Sequence, residues 1–199
     1  MTNTPSLRRR GPGSRADLDH PTRWELIAAA IELAEDDGLR ALSVAQITAA
    51  AGHAKGTFYV HFPDRAAFVV AVHRWFHDTV FAHVISQTAD DDPGPLRAGR
   101  RVIAFLDQCR TLAGVRAFLI EARTEPALVA EVEQRNRQAA QVLCGDLRGI
   151  AAHPEETARI LVLATADIAA RESARRRRIP AARRALLDLI PQPKDTIYN

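Results

Sequence analysis

Cysteine is scarce in this chain. Cys109 and Cys144 are the two in 199 residues, too few and too far apart for a disulfide framework, which points to a reducing cytoplasm. Long apolar runs are missing as well. The longest stretch, Ile160 to Ala170, is interrupted by Thr165 and Asp167 and is far too short to span a bilayer, so no membrane partner is expected. The polar, basic N-terminus (Arg8, Arg9, Arg10, then Arg15) has no apolar run behind it and does not read as a signal peptide. No Gly-rich phosphate loop, nucleophile motif or metal-ligand cluster of strong spacing is present, so neither an enzyme nor a cofactor is expected. Charge of one sign is also weak. The formal net charge is +3, and within residues 1–85 nine Lys/Arg are matched by nine Asp/Glu. A non-specific architectural nucleic-acid binder needs a net basic surface that this half does not supply.

What is present is helix-forming sequence. Nearly half of the residues are apolar, and Pro and Gly fall mostly between periodic segments, which favours an all-α protein. Residues 1–20 read as a flexible basic arm, either a solvated tail or a segment whose arginines reach a groove or a phosphate. Thr22 is the expected cap of a first helix to about Asp37, with Ile27, Ala30, Ile31 and Ala34 on one face and a stop at Gly38. Ser43 is the expected cap of a second helix, with Val44, Ile47 and Ala51 inward and Thr48 at the edge of that face. Gly52 makes a tight turn into a third helix that buries Phe58 and Phe62, four residues apart. Pro63-Asp64 then opens a long fourth helix, from about Arg65 to Gln87.

Two helices joined by a tight turn, the second beginning with small and cationic groups, form the layout of a helix-turn-helix. Its second helix lies in the DNA major groove with its N-terminal residues toward base edges. Lys55 sits in the first turn, where it can reach a phosphate or a guanine edge. Gly56 removes a side chain, so backbone can approach DNA closely. Thr57 can donate to a base or offer its methyl to thymine, and the Tyr59 hydroxyl can meet a phosphate. The free N–H groups of the second helix, behind Ser43, can hold another.

Asp90-Asp91-Asp92-Pro93-Gly94-Pro95 is the clearest linker. Beyond it, helices are expected at about 96–112, 114–124, 126–151, 154–175 and 180–190. The first carries Val102, Phe105, Leu106, Cys109 and Leu112 on one face. The third carries a stripe of Leu128, Val132, Ala139, Leu143, Leu147 and Ile150, on which the polar Asn136 also falls. Ile160 to Ala170 is apolar nearly all round and must be covered on both faces. Arg175 to Arg178 reads as a solvated loop.

The span from about Arg23 to Val72 resembles the DNA-binding domain of the TetR family of transcriptional repressors. The resemblance rests on Ala-Ala-Ala-x-x-Leu-Ala ahead of Gly38, Ser43-x-x-x-Ile47, Ala51-Gly52, Lys55-Gly56-Thr57-Phe58-Tyr59-x-His61-Phe62 and the basic Arg65. It implies a three-helix DNA-binding domain (21–66) joined by the fourth helix to a helical ligand-binding and dimerisation domain (67–199). It implies a cytoplasmic homodimer, paired through its last two long helices, on a palindromic double-stranded operator, and released by a small effector. The DNA-facing residues it implies are Ser43, His53, Ala54, Lys55, Gly56, Thr57, Tyr59, His61 and Arg65. His53 and Ala54 depart from the family, which has a small apolar residue and a Ser there; His53 is either a half-buried turn residue or a residue that reaches the DNA. The missing Ser leaves the third helix without its usual cap, at about 1 kcal/mol. His61 matches the family, either as a packing residue or as a contact.

Candidate ligand-lining residues are Phe81, Phe105, Cys109, Phe118, Glu121 and Asn136, mostly apolar with a few convergent polar groups, as for a largely apolar effector. Each aromatic can equally be core. His73 and His77, one turn apart, are a weak metal pair. Cys109 and Cys144 sit on apolar stripes and read as small hydrophobes before they read as a redox pair.

Overall fold

In the computed structural model, residues 20–37, 43–121 and 126–193 are described, and all regular secondary structure among them is helical. The order is α1 (Pro21–Asp37), α2 (Val44–Ala50), α3 (Lys55–His61), α4 (Arg65–Gln87), α5 (Pro95–Thr111), α6 (Ala113–Glu121), α7 (Pro126–Leu147), α8 (Pro154–Arg175) and α9 (Pro180–Asp188). Residues 1–19 of the expected arm (1–20) and the stop at Gly38 lie outside the described residues.

Local chemistry sets the N-terminal helices, with one correction. Thr22 does not cap α1. Pro21, which lacks an N–H and has φ fixed for a helix, takes the first helical position and moves the cap back to His20. The His20 carbonyl accepts from the Arg23 N–H at 2.9 Å, and its Nδ1 accepts from the Thr22 N–H at 3.2 Å. Ser43 opens α2 through a reciprocal box: its Oγ accepts from the Gln46 N–H at 3.2 Å, and Gln46 Oε1 accepts from the Ser43 N–H at 3.0 Å. Thr48 is buried rather than at an edge, because its hydroxyl donates to the Val44 carbonyl at 2.9 Å and needs no water. Gly52, at φ 72°, closes α2: its N–H goes to the Ala49 carbonyl and that of His53 to the Thr48 carbonyl. That double return bond requires a left-handed residue, which glycine adopts without strain.

Phe58, Phe62 and Phe68 fill the centre of this module, with ring centroids 4.9 to 5.3 Å apart, on a floor of Leu26, Ile27 and Ala30. Asp64 Oδ1 accepts from the Ala67 N–H at 2.7 Å and starts α4. The buried side of α4 then runs from Phe68 and Val72 into Phe76, Val80 and Val84, so one rigid helix belongs to both halves of the core. A second junction is made where α1 packs on α6.

The C-terminal half packs α4, α5, α7 and α8 together, with α7 against α8 the most extensive pairing. α5 starts one residue earlier than expected, at Pro95. α7 ends at Leu147 and leaves Ile150 outside, because Gly149 at φ 80° turns the chain. Gly99 lets α5 approach the last helix: a Cβ there would lie 3.3 Å from Leu187 Cδ2.

Candidate nucleic-acid interface and adjoining cavity

α3 is anchored by one face and open on the other. Phe58 and His61 are buried, whereas Ala54, Lys55, Gly56, Tyr59 and Val60 are exposed and Thr57 is half-buried. Among the described residues, no side-chain hydrogen bond or ion pair within the chain uses Lys55, Thr57, Tyr59 or Arg65. The outer face therefore keeps a cation, a hydroxyl and a phenol free for an external partner, with exposed Arg65 one turn beyond. A Cβ built on Gly56 meets nothing within 4 Å, so the fold itself does not ask for glycine there. Ala54 holds the cap position in extended conformation (φ −71°, ψ 148°) with no side-chain bond to the first turn of α3. The Thr57 N–H is taken by the Ala54 carbonyl at 2.9 Å, and no side chain at the cap position meets the first turn. Ser43 is exposed at the start of α2.

The two histidines take different places. His53, half-buried in the turn, lies with Nε2 2.7 Å from Glu25 Oε2 and ties the turn back to α1. His61 faces the interior, its ring 4.7 Å from that of His20. Burial, with the nearby His20, Arg23 and His53, lowers its pKa against a smaller opposing pull from Glu25, so it is neutral at neutral pH. It therefore helps seat α3 rather than presenting a charge. Sequence reasoning missed Arg23. Its guanidinium stacks 4.2 Å from the Phe62 ring centroid, and Nη1 donates to the His61 carbonyl at 2.8 Å, bracing the end of α3 from α1.

In the other half, Phe81, Phe105 and Asn136 come together around a cavity of about 60 Å³ walled by α4, α5, α7 and α8. A smaller hollow of about 30 Å³ adjoins it and shares His77, Phe105, Asn136 and Ala166. Cys109 borders neither. It is buried on α5 beside Arg116, and burial pushes its thiol up to about 11, which makes it an inert apolar filler. The side chains of Phe118 and Glu121 lie outside the described residues.

Residues 26–72 match the family model described as bacterial regulatory proteins, tetR family. The chain carries a TetR-family DNA-binding domain. Solved structures extend the likeness of fold over most of the chain. A TetR-family transcriptional regulator from Rhodococcus sp. is 20% identical, with 86% of this chain and 97% of that one covered and a TM-score of 0.71. A second Rhodococcus transcriptional regulator is 22% identical over 84% and 93%, with a TM-score of 0.66. The multidrug binding protein EbrR, solved with imidazole, is 24% identical over 89% and 99%, also at 0.66. A search of curated proteins finds no match.

Behind the TetR-family domain lie buried charges for which the sequence carried no local signal. The Glu172 carboxylate is fully buried, yet accepts from Arg183 Nε at 2.8 Å, Arg183 Nη2 at 2.6 Å and the Ile179 N–H at 2.8 Å. Burial alone raises its pKa; these hydrogen bonds outweigh burial and hold it below the ordinary glutamate value. Asp146, equally buried, accepts from Arg97 and Arg101 at 2.7 and 2.6 Å. Glu131 on α7 accepts from Arg74 of α4 at 2.9 Å and from Arg135 at 3.0 Å, while Arg135 reaches back to Asp78 of α4 at 2.6 Å. Arg178 pairs with Asp107 at 3.1 Å, so the run Arg175–Arg178 is not wholly a solvated loop. His73 and His77 stack at 4.5 Å, and no group of three metal-binding side chains occurs among the described residues. No described helix is long and apolar enough to cross a membrane.

Proposed function

We propose that this protein is a dimeric transcriptional repressor that binds a palindromic operator and is released by a small, largely apolar effector held in its C-terminal half. The observation that carries the DNA part is the outer face of α3. Lys55, Gly56 and Tyr59, with half-buried Thr57 between them, form a patch that the fold leaves open and does not use, with a glycine whose missing side chain serves no internal contact. Such a patch suits phosphates and base edges, with Ser43 and Arg65 as flanking backbone contacts and Ala54 and the tethered His53 at its entrance.

The dimer reading draws on α8 and α9. Ile160 and Leu163 are 60% and 58% exposed, and Leu189 is 56% exposed, on helices whose opposite sides are buried. A second copy laid on this surface covers them, and a two-fold axis suits a palindrome. The effector reading draws on the cavity around Phe81, Phe105 and Asn136, and on the similar fold of a protein named for binding drugs. Coupling runs through α4. Arg74 and Asp78 of α4 are held by Glu131 and Arg135, and Asn136 is the next residue of α7, so a ligand that turns α7 pulls on the helix carrying the DNA-binding domain.

Selection of binding sites from random duplexes by the purified protein tests the reading. Enrichment of a palindrome, with affinity far above that for random DNA, supports it; a folded dimer that enriches nothing overturns it.

A further inference from the structure

The cavity between α4, α5, α7 and α8 has a defined chemistry. A water's share of liquid volume is ~30 Å³ and a dry cavity that takes benzene measures ~150 Å³, so about 60 Å³ with the adjoining hollow of about 30 Å³ admits nothing larger than a single small ring. Phe81, Val102, Phe105, Leu143 and Val162 make its walls apolar, and among the described residues no carboxylate borders it. The polar groups at its edge are almost all spent elsewhere. Thr165 Oγ1 donates to the Leu161 carbonyl at 2.6 Å. Arg101 sends Nε to Thr88 and Nη1 to Asp146 and the Val142 carbonyl. The His77 ring lies against that of His73, tilted by 45°.

Asn136 is the exception. Its side chain makes no hydrogen bond among the described residues, and it borders the cavity, the adjoining hollow and an outer cleft between α7 and α8. An amide offers both a donor and an acceptor, and a ligand group that answers it gains a hydrogen bond in an otherwise apolar site.

We propose that this cavity binds a neutral, single-ring molecule whose one hydroxyl or amide group is read by Asn136. The assignment rests on the sensor reading above and makes Asn136 its specificity-determining residue. The outer cleft shares Asn136 and Val162 with the cavity.

Calorimetry of the full chain without DNA, using three probes on one skeleton, tests this. 4-Methylphenol is expected to bind about tenfold more tightly than toluene, the equivalent of one well-made hydrogen bond. 4-Methylbenzoate is expected not to bind, since the Arg101 donors named above point elsewhere. In Asn136→Leu, with helicity and melting checked, the gap between phenol and toluene should shrink to about twofold; Asn136→Gln, which keeps the amide, should retain part of it. Equal binding of phenol and toluene, preferred binding of the benzoate, or no heat from any probe overturns the assignment. Operator affinity is then measured with 4-methylphenol present. Asn136-dependent binding that leaves the operator complex untouched sinks the sensor reading and keeps the assignment. Sequence-specific DNA binding by a protein that takes no probe does the reverse.

Discussion

The two halves of this molecule solve the same problem, holding helices together, with different materials. The DNA-binding module uses rings and caps: three phenylalanines in mutual contact, a capping box at Ser43, a left-handed Gly52 and the Asp64 cap. The C-terminal half adds buried carboxylates, Glu131, Asp146 and Glu172, each gripped by arginine. Caps and turns act within a few residues. The ion pairs close over 11, 49 and 57 residues. The helix starts and turns of the first half are therefore set at short range, with the Arg23–His61 and Glu25–His53 contacts as its long-range ties, and the buried pairs of the second half at long range.

The largest expected effect attacks the long-range half. Glu172→Ala leaves Arg183 buried beside Asp107 without its main partner and should cost about 3–5 kcal/mol, read as a lower urea midpoint. The same carboxylate has a folded pKa below its unfolded value. Its contribution is full above the ordinary glutamate pKa of 4.5 and is lost as pH falls through the lower folded value. Melting followed downward from pH 5 should show that loss, and Glu172→Gln should flatten it. A variant as stable and as acid-sensitive as the parent means that the buried pairs are not what distinguishes this half.

That contrast also explains what the sequence could and could not disclose. The starts of α4 and α8 were legible because Asp64 and Pro154 mark them locally, whereas the left-handed Arg176 that ends α8 gave no sign of itself in the sequence. The exposed face of α3 was legible because turn and periodicity together fix which residues point outward. Arg23 over Phe62, the Glu25–His53 tie and the Arg74–Glu131 pair were not, since each needs a partner from another part of the chain. Thr22 misled for a local reason: a good capping residue was overruled by the proline before it. Cys109 misled because sharing a stripe with Phe105 does not mean sharing a wall.

A middle-sized effect belongs to the interface. Lys55→Ala should weaken DNA binding by about tenfold, similarly across sequences if it meets a phosphate, and lower the salt slope by about one. Its melting should be unchanged, since Lys55 has no partner among the described residues. Discrimination lost at a single base position would instead assign Lys55 to a base edge.

A smaller effect tests the uncapped helix. Ala54→Ser supplies the absent acceptor to the first turn of α3 and should raise stability by about 1 kcal/mol in chemical denaturation. An unchanged midpoint means that the extended backbone at Ala54 does not aim a hydroxyl at those N–H groups.

A small gain in stability bears most directly on the central claim, that the face of α3 is shaped for a partner and not for the fold. In Gly56→Ala the added methyl meets nothing within 4 Å, so the folded chain should gain about 0.5–1 kcal/mol from helix propensity. Affinity for the selected palindrome should nonetheless fall at least about tenfold, one lost close approach of about 1.4 kcal/mol. Measuring both in one preparation decides the matter: a more stable protein that binds DNA worse is the result this account predicts, and a more stable protein that binds DNA equally well contradicts it.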